Sequence, residues 1–298
     1  MTDNKKVKIH IKNNHWAPGS FPSDAEGEKN FTITKKHLDK ALKNFPEIKE
    51  KIEIFIDWDE DNFITSMSNS DILLAWNFPT KNLKKISPNL KWIHLISAGV
   101  EHLFPLDWMS DGLVLTNSSG VHAKNAGEYG LMSILMLQRH ITKIITNQKN
   151  KKFVSLFSNP IKGKTLVLVG TGSLGSSMAK LLAPLGVNII GVNKRGRAID
   201  GCSKIVTIDK IDSVLADADF LYLAVPGTPE TKNLINRKRL NKLKSTCGIV
   251  NIGRQSVMDY DFLCEKLRKN EIAGAILDVF TPEPIEKNSK LWNTPNLI

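Results

Sequence analysis

Three stretches of the 298-residue sequence place ligand-holding or reactive residue types at informative spacing. The first is Gly170-Thr171-Gly172-Ser173-Leu174-Gly175, set between an apolar run, Thr165 to Val169, and a helical stretch, Ser176 to Leu185. Each glycine answers a separate steric demand. Gly170 permits a tight turn, Gly172 lets the backbone approach a pyrophosphate, and Gly175 lets the helix pack closely on the strand. With Ser173 and Leu174 in the turn before it, the N-terminus of that helix presents unpaired N–H groups and a partial positive charge to phosphate. Strand, turn, helix and next strand follow in the order a dinucleotide site requires.

The second stretch is Val192-Asn193-Lys194-Arg195-Gly196-Arg197, about twenty residues past the glycines, where NAD sites usually place an acid that accepts from the ribose hydroxyls. Asn193 does not repel a 2′-phosphate, and Lys194, Arg195 and Arg197 offer it cations, so NADP(H) is favoured over NAD(H). The third group lies at the carboxyl ends of predicted strands, where open α/β sheets bind ligands. It comprises Val225, Pro226 and Thr231, then Ile252-Gly253-Arg254, then Asp278 and Glu283.

These residues need a scaffold of alternating strands and helices, and the sequence supplies it. Strands are predicted near Val7 to Ile11, Ile52 to Ile56, Asp71 to Trp76, Trp92 to Ile96 and Leu113 to Leu115, with helical stretches such as Lys36 to Asn44 between them. A long amphipathic helix is predicted over Asn125 to Asn147, with Leu131, Ile134, Leu135, Ile141, Ile144 and Ile145 on one side. It serves as a domain connector, a subunit interface or a core helix. Six further strands follow, Thr165 to Val169, Asn188 to Val192, Lys204 to Ile208, Phe220 to Val225, Gly248 to Ile252 and Ala273 to Leu277, enough for a doubly wound sheet. The expected class is α/β in two domains, residues 1–117 and 118–298.

Composition agrees. Hydrophobic residues make up 41% of the chain, which supports packed cores and argues against disorder. Three cysteines, Cys202, Cys247 and Cys264, with no CxxC pair, exclude a disulfide scaffold and remove the best zinc signature. Lys+Arg exceed Asp+Glu by 41 to 30, yet the lysines are scattered, so no nucleic-acid partner is expected. The stretch MTDNKKVKIH has no signal-peptide core and no apolar run spans a bilayer, so the expected setting is cytoplasmic and away from membranes.

The chain resembles the D-isomer-specific 2-hydroxyacid dehydrogenase family over nearly its whole length. The motifs that carry the resemblance are Ser97-Ala98-Gly99-Val100-Glu101-His102, Asn117 through Glu128, the glycine turn, Pro226 to Thr231, Gly253-Arg254, and Asp278 to Pro284. The basic residues after Val192 look most like the NADPH-linked glyoxylate/hydroxypyruvate reductase branch. The resemblance implies a flavodoxin-like substrate domain, a Rossmann coenzyme domain, a small 2-oxo or 2-hydroxy acid as substrate, and a homodimer.

It also assigns roles. Arg254 would bind the substrate's carboxylate and keto oxygen, and backbone N–H groups near Ser97, Ala98 and Gly99 would hold the carboxylate. Asp278 would orient the nicotinamide, and Glu283 would hydrogen-bond a catalytic histidine and keep it protonated. The family sets that histidine in a Pro-His turn just after the segment matching Leu291 to Ile298, and no Pro-His dipeptide occurs here. The seven histidines, at 10, 15, 37, 94, 102, 122 and 140, all precede the glycine turn, and His102 reads as structural. The expectation is a shortened chain that lacks the acid and the family's returning last segment. Gln255 departs from the family's glycine, and its side chain either narrows the substrate pocket or faces solvent. The alternative function is an NAD(P)-sensing binding protein, as in corepressor relatives on this fold.

Overall fold

The computed structural model describes residues 6–18 and 24–298. Residues 1–5, part of the amino-terminal stretch MTDNKKVKIH, lie outside it. The chain divides into two compact units, one up to Ser119 and one from Gly120 to Ile298.

In the first unit β1 (Val7–Asn13) leads to helices α1 (Asp24–Phe31), α2 (Lys35–Leu42) and α3 (Pro46–Lys49). Then come β2 (Ile52–Trp58), α4 (Phe63–Met67), β3 (Ile72–Ala75), α5 (Leu83–Ile86), β4 (Trp92–Leu95) and β5 (Val114–Asn117). The strands form one parallel sheet in the order β2-β1-β3-β4-β5. Phe63, Met67, Leu73, Ile93 and Leu95 make its core. Two of the polar positions of β1 are withdrawn from water, His10 fully buried and Lys12 3% exposed, whereas Lys8 nearer its start is partly exposed.

The second unit opens with α6 (Ala123–Gln138) and α7 (Ile141–Lys149). They replace the single long helix expected over Asn125 to Asn147, because His140 takes a left-handed φ of 57° between them. The buried face also keeps only part of the predicted stripe, Ile134 being buried and Leu131 partly buried against the core. Gly127, Gly130, Ser133, Ile134 and Leu137 point inward, whereas Leu135 and Ile144 are exposed. A Cβ on Gly130 would stand 2.5 Å from Met178 and 2.6 Å from the Tyr222 hydroxyl, so close approach, rather than apolar bulk, selects this face.

The strands β6 (Thr165–Val169), β7 (Asn188–Asn193), β8 (Lys204–Thr207), β9 (Phe220–Leu223), β10 (Gly248–Asn251) and β11 (Gly274–Leu277) alternate with α8 (Ser173–Leu182), α9 (Arg237–Leu240) and α10 (Tyr260–Arg268). They form a parallel sheet in the order β11-β10-β9-β6-β7-β8. Successive residues of one strand feed opposite cores: Leu166 and Leu168 pack with Tyr222 and Val250, while Val167 and Val169 pack with Leu221, Leu223 and Ile249. Both faces are covered, which is why these strands read as continuous apolar runs. Residues 296–298 extend the sheet, with Ile298 N–H donating to Ala275 O and Leu277 N–H to Ile298 O. No helix among the described residues is long and apolar enough to cross a membrane.

Candidate functional site

The strand order of the second sheet reverses between β6 and β9, and the glycine turn leaves β6 at that point. Gly170 has φ 98°, and a Cβ there would lie 2.6 Å from Ala224 O; a Cβ on Gly175 would lie 2.0 Å from Gly170 O. Both positions therefore exclude any side chain, one by backbone conformation and contact, the other by helix-on-turn packing. Gly172 faces open space, with nothing within 4 Å of where its Cβ would be, and it caps α8 with an extended backbone. The turn thus leaves an unobstructed helix N-terminus with Ser173 exposed, which fits a pyrophosphate.

Beside it lies a cleft of about 630 Å3 lined by Thr171, Gly172, Ser176, Lys180, Asn193, Lys194, Arg195 and Arg197. The cations after β7 are exposed, so their charge is available to an anion. Asn193, half-buried, is not: its side chain is wholly engaged by Thr171, Arg195 and Arg197. Lys180 and Ser176 line the cleft without having been singled out from sequence. Their only signal was a shared helix face four residues apart. Lys180 pairs with Asp200 at 3.7 Å.

On the other side of the switch point the loop after β9 holds Val225, 8% exposed, and Pro226. Thr231 turns its hydroxyl into this loop, donating to Pro226 O at 2.6 Å and accepting from Thr228 N–H at 2.8 Å. Gly253 brings the β10 end against it, since a Cβ there would sit 2.5 Å from Val225 O. Ile252 is buried, and Arg254 emerges exposed with Nη1 donating to Gly253 O at 2.8 Å.

Three residues not predicted as site residues, Asn251, Tyr260 and Gln255, join the loops after β10 and β11. Asn251 is fully buried; its Nδ2 donates to Arg254 O at 3.1 Å and to the Tyr260 hydroxyl at 3.0 Å, and its Oδ1 accepts from Gly253 N–H at 3.0 Å. The Tyr260 hydroxyl donates onward to Val279 O at 3.0 Å. Gln255 makes the second junction, its Oε1 accepting from Thr281 N–H. The sequence left this side chain between pocket and solvent; it turns onto the neighbouring loop. A polar residue ending the apolar run Gly248 to Asn251 was the one available signal for Asn251.

Glu283 folds back so that Oε1 accepts from Phe280 N–H at 2.8 Å. Asp278, at the exposed end of β11, is hydrogen-bonded by Tyr129. Desolvation, then the nearby Glu283 charge, raises the Asp278 carboxyl above its ordinary range, and the Tyr129 bond opposes this. Burial foremost, then Asp278, raises the Tyr129 phenol in turn.

Ser97, Ala98 and Gly99 form the loop after β4 in the first unit. Ser97 Oγ donates to Gly99 O at 2.8 Å and Asn117 Nδ2 to Ala98 O at 2.7 Å, so the loop's carbonyls are tied down. His102 bonds Trp76 O at 3.1 Å, a structural engagement. No cluster of His, Cys, Asp and Glu suited to a metal occurs among the described residues.

The sequence pattern described as "D-isomer specific 2-hydroxyacid dehydrogenase, NAD binding domain" matches residues 131–298. A glyoxylate reductase from Thermofilum pendens is 34% identical over 219 residues, which cover 71% of this chain and 65% of that protein. Among solved structures, a D-isomer specific 2-hydroxyacid dehydrogenase family protein from Aeromonas salmonicida subsp. salmonicida superposes with a TM-score of 0.74 at 26% identity, covering 99% of this chain and 87% of that one. An NADPH-dependent glyoxylate/hydroxypyruvate reductase from Sinorhizobium meliloti, solved with NADP and sulfate, gives a TM-score of 0.75 at 24% identity, covering 98% and 87%.

Proposed function

Because the chain belongs to the D-isomer specific 2-hydroxyacid dehydrogenases, a family of oxidoreductases, we propose that it reduces a small 2-oxo acid such as glyoxylate or hydroxypyruvate with hydride from NADPH. NADH is the second-choice donor. The observation that carries the reading is the convergence, at one sheet edge, of an open helix N-terminus, a cationic cleft and the joined loops bearing Arg254, Asp278 and Glu283. The Sinorhizobium meliloti protein, NADPH-dependent by its description, supports the choice of cofactor.

When bound, the dinucleotide supplies the hydride; the chain's residues hold and orient. The Gly172 turn and the first turn of α8 receive the pyrophosphate, and Arg195 and Arg197 receive the 2′-phosphate. Asp278 orients the nicotinamide. Arg254 presents a planar fork that grips a 2-oxo acid and stabilises the charge growing on its keto oxygen. By the family resemblance, the Ser97 to Gly99 loop of the first unit is assigned backbone N–H donors for a carboxylate. Glu283, its orientation set by the Phe280 N–H, is the partner of an imidazole acid, and none of the seven histidines of this sequence is assigned that part.

A homodimer in the cytoplasm is part of the reading. The stretch from α6 onward exposes Met132, Leu135, Ile144 and Val154, with Phe153 97% and Phe157 90% exposed, apolar side chains that a partner subunit would cover.

The test is NADPH oxidation on adding glyoxylate or hydroxypyruvate, with Arg254→Ala as control. Turnover that falls by at least about a hundredfold in the control supports the reading. Nucleotide binding without turnover of any 2-oxo acid would favour a nucleotide sensor on this fold.

A further inference from the structure

We propose that Asn193 is a positioning residue that sets cofactor preference: it clamps the basic loop, residues 194–197, to the glycine turn and does not itself read the ribose. The inference rests on the NADPH reading above and deepens it.

Every hydrogen-bonding position of the Asn193 amide is used internally. Its Nδ2 donates to Thr171 Oγ1 at 2.9 Å and to Arg197 O at 2.8 Å. Its Oδ1 accepts from the backbone N–H groups of Arg195 at 3.1 Å and Arg197 at 3.2 Å. An amide carries two donors and an oxygen with two acceptor positions, so nothing is left over for ribose hydroxyls. The reversed orientation is excluded, since it would set an NH2 against two N–H groups and an oxygen against Arg197 O.

The loop is shaped to make this possible. Gly196 has φ 66°, a conformation L side chains rarely adopt, and it turns the chain back so that the peptide groups on either side converge on one amide. The other end of the clamp is the second residue of the glycine motif. Thr171 takes the Asn193 bond on its hydroxyl, and its carbonyl accepts from Ser176 Oγ at 2.9 Å on α8. One side chain therefore ties the basic loop to the turn that would receive the pyrophosphate. The loop's cations are already in place when a 2′-phosphate arrives, so their ordering entropy is not lost at binding.

This differs from the rule that an acid at the end of the second strand selects NAD. Under that rule Asn193→Asp should convert the chain to NADH. Here a carboxylate keeps the two acceptor contacts but loses both donors, and its second oxygen meets Arg197 O at 2.8 Å. The loop should release rather than switch allegiance.

The experiment uses the full 298-residue chain. NADPH and NADH are titrated by fluorescence, and deuterium uptake over residues 193–198 is followed without nucleotide. Asn193→Ala should weaken NADPH at least about tenfold, leave NADH within about threefold, and speed uptake in the loop while the thermal midpoint stays near that of the wild type. Asn193→Asp should lose NADPH without gaining NADH, and Thr171→Val, which removes one anchor, should lose part of the NADPH preference. Tighter NADH binding by Asn193→Asp, or NADPH affinity unchanged in Asn193→Ala, overturns the proposal. If the wild type binds neither nucleotide, the NADPH reading fails by itself, and unchanged loop exchange in Asn193→Ala still refutes the clamp.

Discussion

The buried amide of Asn251 donates to the hydroxyl of Tyr260 at 3.0 Å, and that hydroxyl passes a hydrogen bond across to Val279 O. A residue at the end of β10 and one at the start of α10 thereby fix the backbone that follows β11. Removing the hydroxyl with Tyr260→Phe takes one of two acceptors from the buried Asn251 amide and the Tyr260 donor from Val279 O, a cost of about 1–3 kcal/mol. The thermal midpoint should fall by roughly 3–8 °C, with the loop carrying Glu283 taking up deuterium faster. A midpoint within about a degree of the wild type would show the relay to be dispensable.

The cations of the cleft give a prediction about selectivity. Arg195→Ala and Arg197→Ala should each weaken NADPH about ten- to a hundredfold and leave NADH nearly unchanged, because only one of the two nucleotides carries the 2′-phosphate. Calorimetric titration of both nucleotides checks this, and equal losses for the two would remove the cleft from the cofactor reading.

Gly175→Ala should be severe. Its Cβ would lie 2.0 Å from Gly170 O, and neither the helix nor the turn can give way without moving the other. We expect a loss of about 3 kcal/mol or more, and weakened binding of NADPH and NADH alike, read from melts with and without nucleotide.

The first unit should be sensitive to acid through His10. Its ring is buried between Phe55 and Phe63 with neither nitrogen hydrogen-bonded, and burial lowers its pKa from 6.5 to about 4. The folded unit thus holds a neutral imidazole, whereas the unfolded chain takes up a proton below pH 6.5. This contribution is intact above the unfolded value and is lost as pH falls from there toward 4. It is on the order of a few kcal/mol across that range. His10→Phe should flatten this part of the pH–stability curve, and an equally steep curve in the variant would point to other groups.

Sedimentation tests the dimer. The wild type should run at twice the chain mass, and a double variant, Phe153→Ser with Phe157→Ser, should shift toward monomer at micromolar concentration. A wild type that stays monomeric throughout would discard that part of the reading.

Much of this was legible because it is local. The glycine turn needs a strand before it and a helix after it, and all three are contiguous in sequence; so are Asn193 to Arg197 and the strand that ends there. The strands were legible too, since a parallel sheet covered on both faces writes itself as runs such as Leu166 to Val169. The helix over Asn125 to Asn147 was misread because apolar residues continue across the break at His140, and burial on its face is set by how closely Gly127 and Gly130 let α8 and Tyr222 approach.

What the sequence determined by itself was the family, the two α/β sheets and the chemical types at the carboxyl edge of the second. What only the tertiary structure decided was the use of each side chain: Gln255 on the Thr281 amide, Asn251 under Arg254, Thr231 in its own loop, Asn193 spent on the residues around it. Residue type fixes how many hydrogen bonds a group can make, but the partners come from strands far apart in sequence, and only folding brings them within reach.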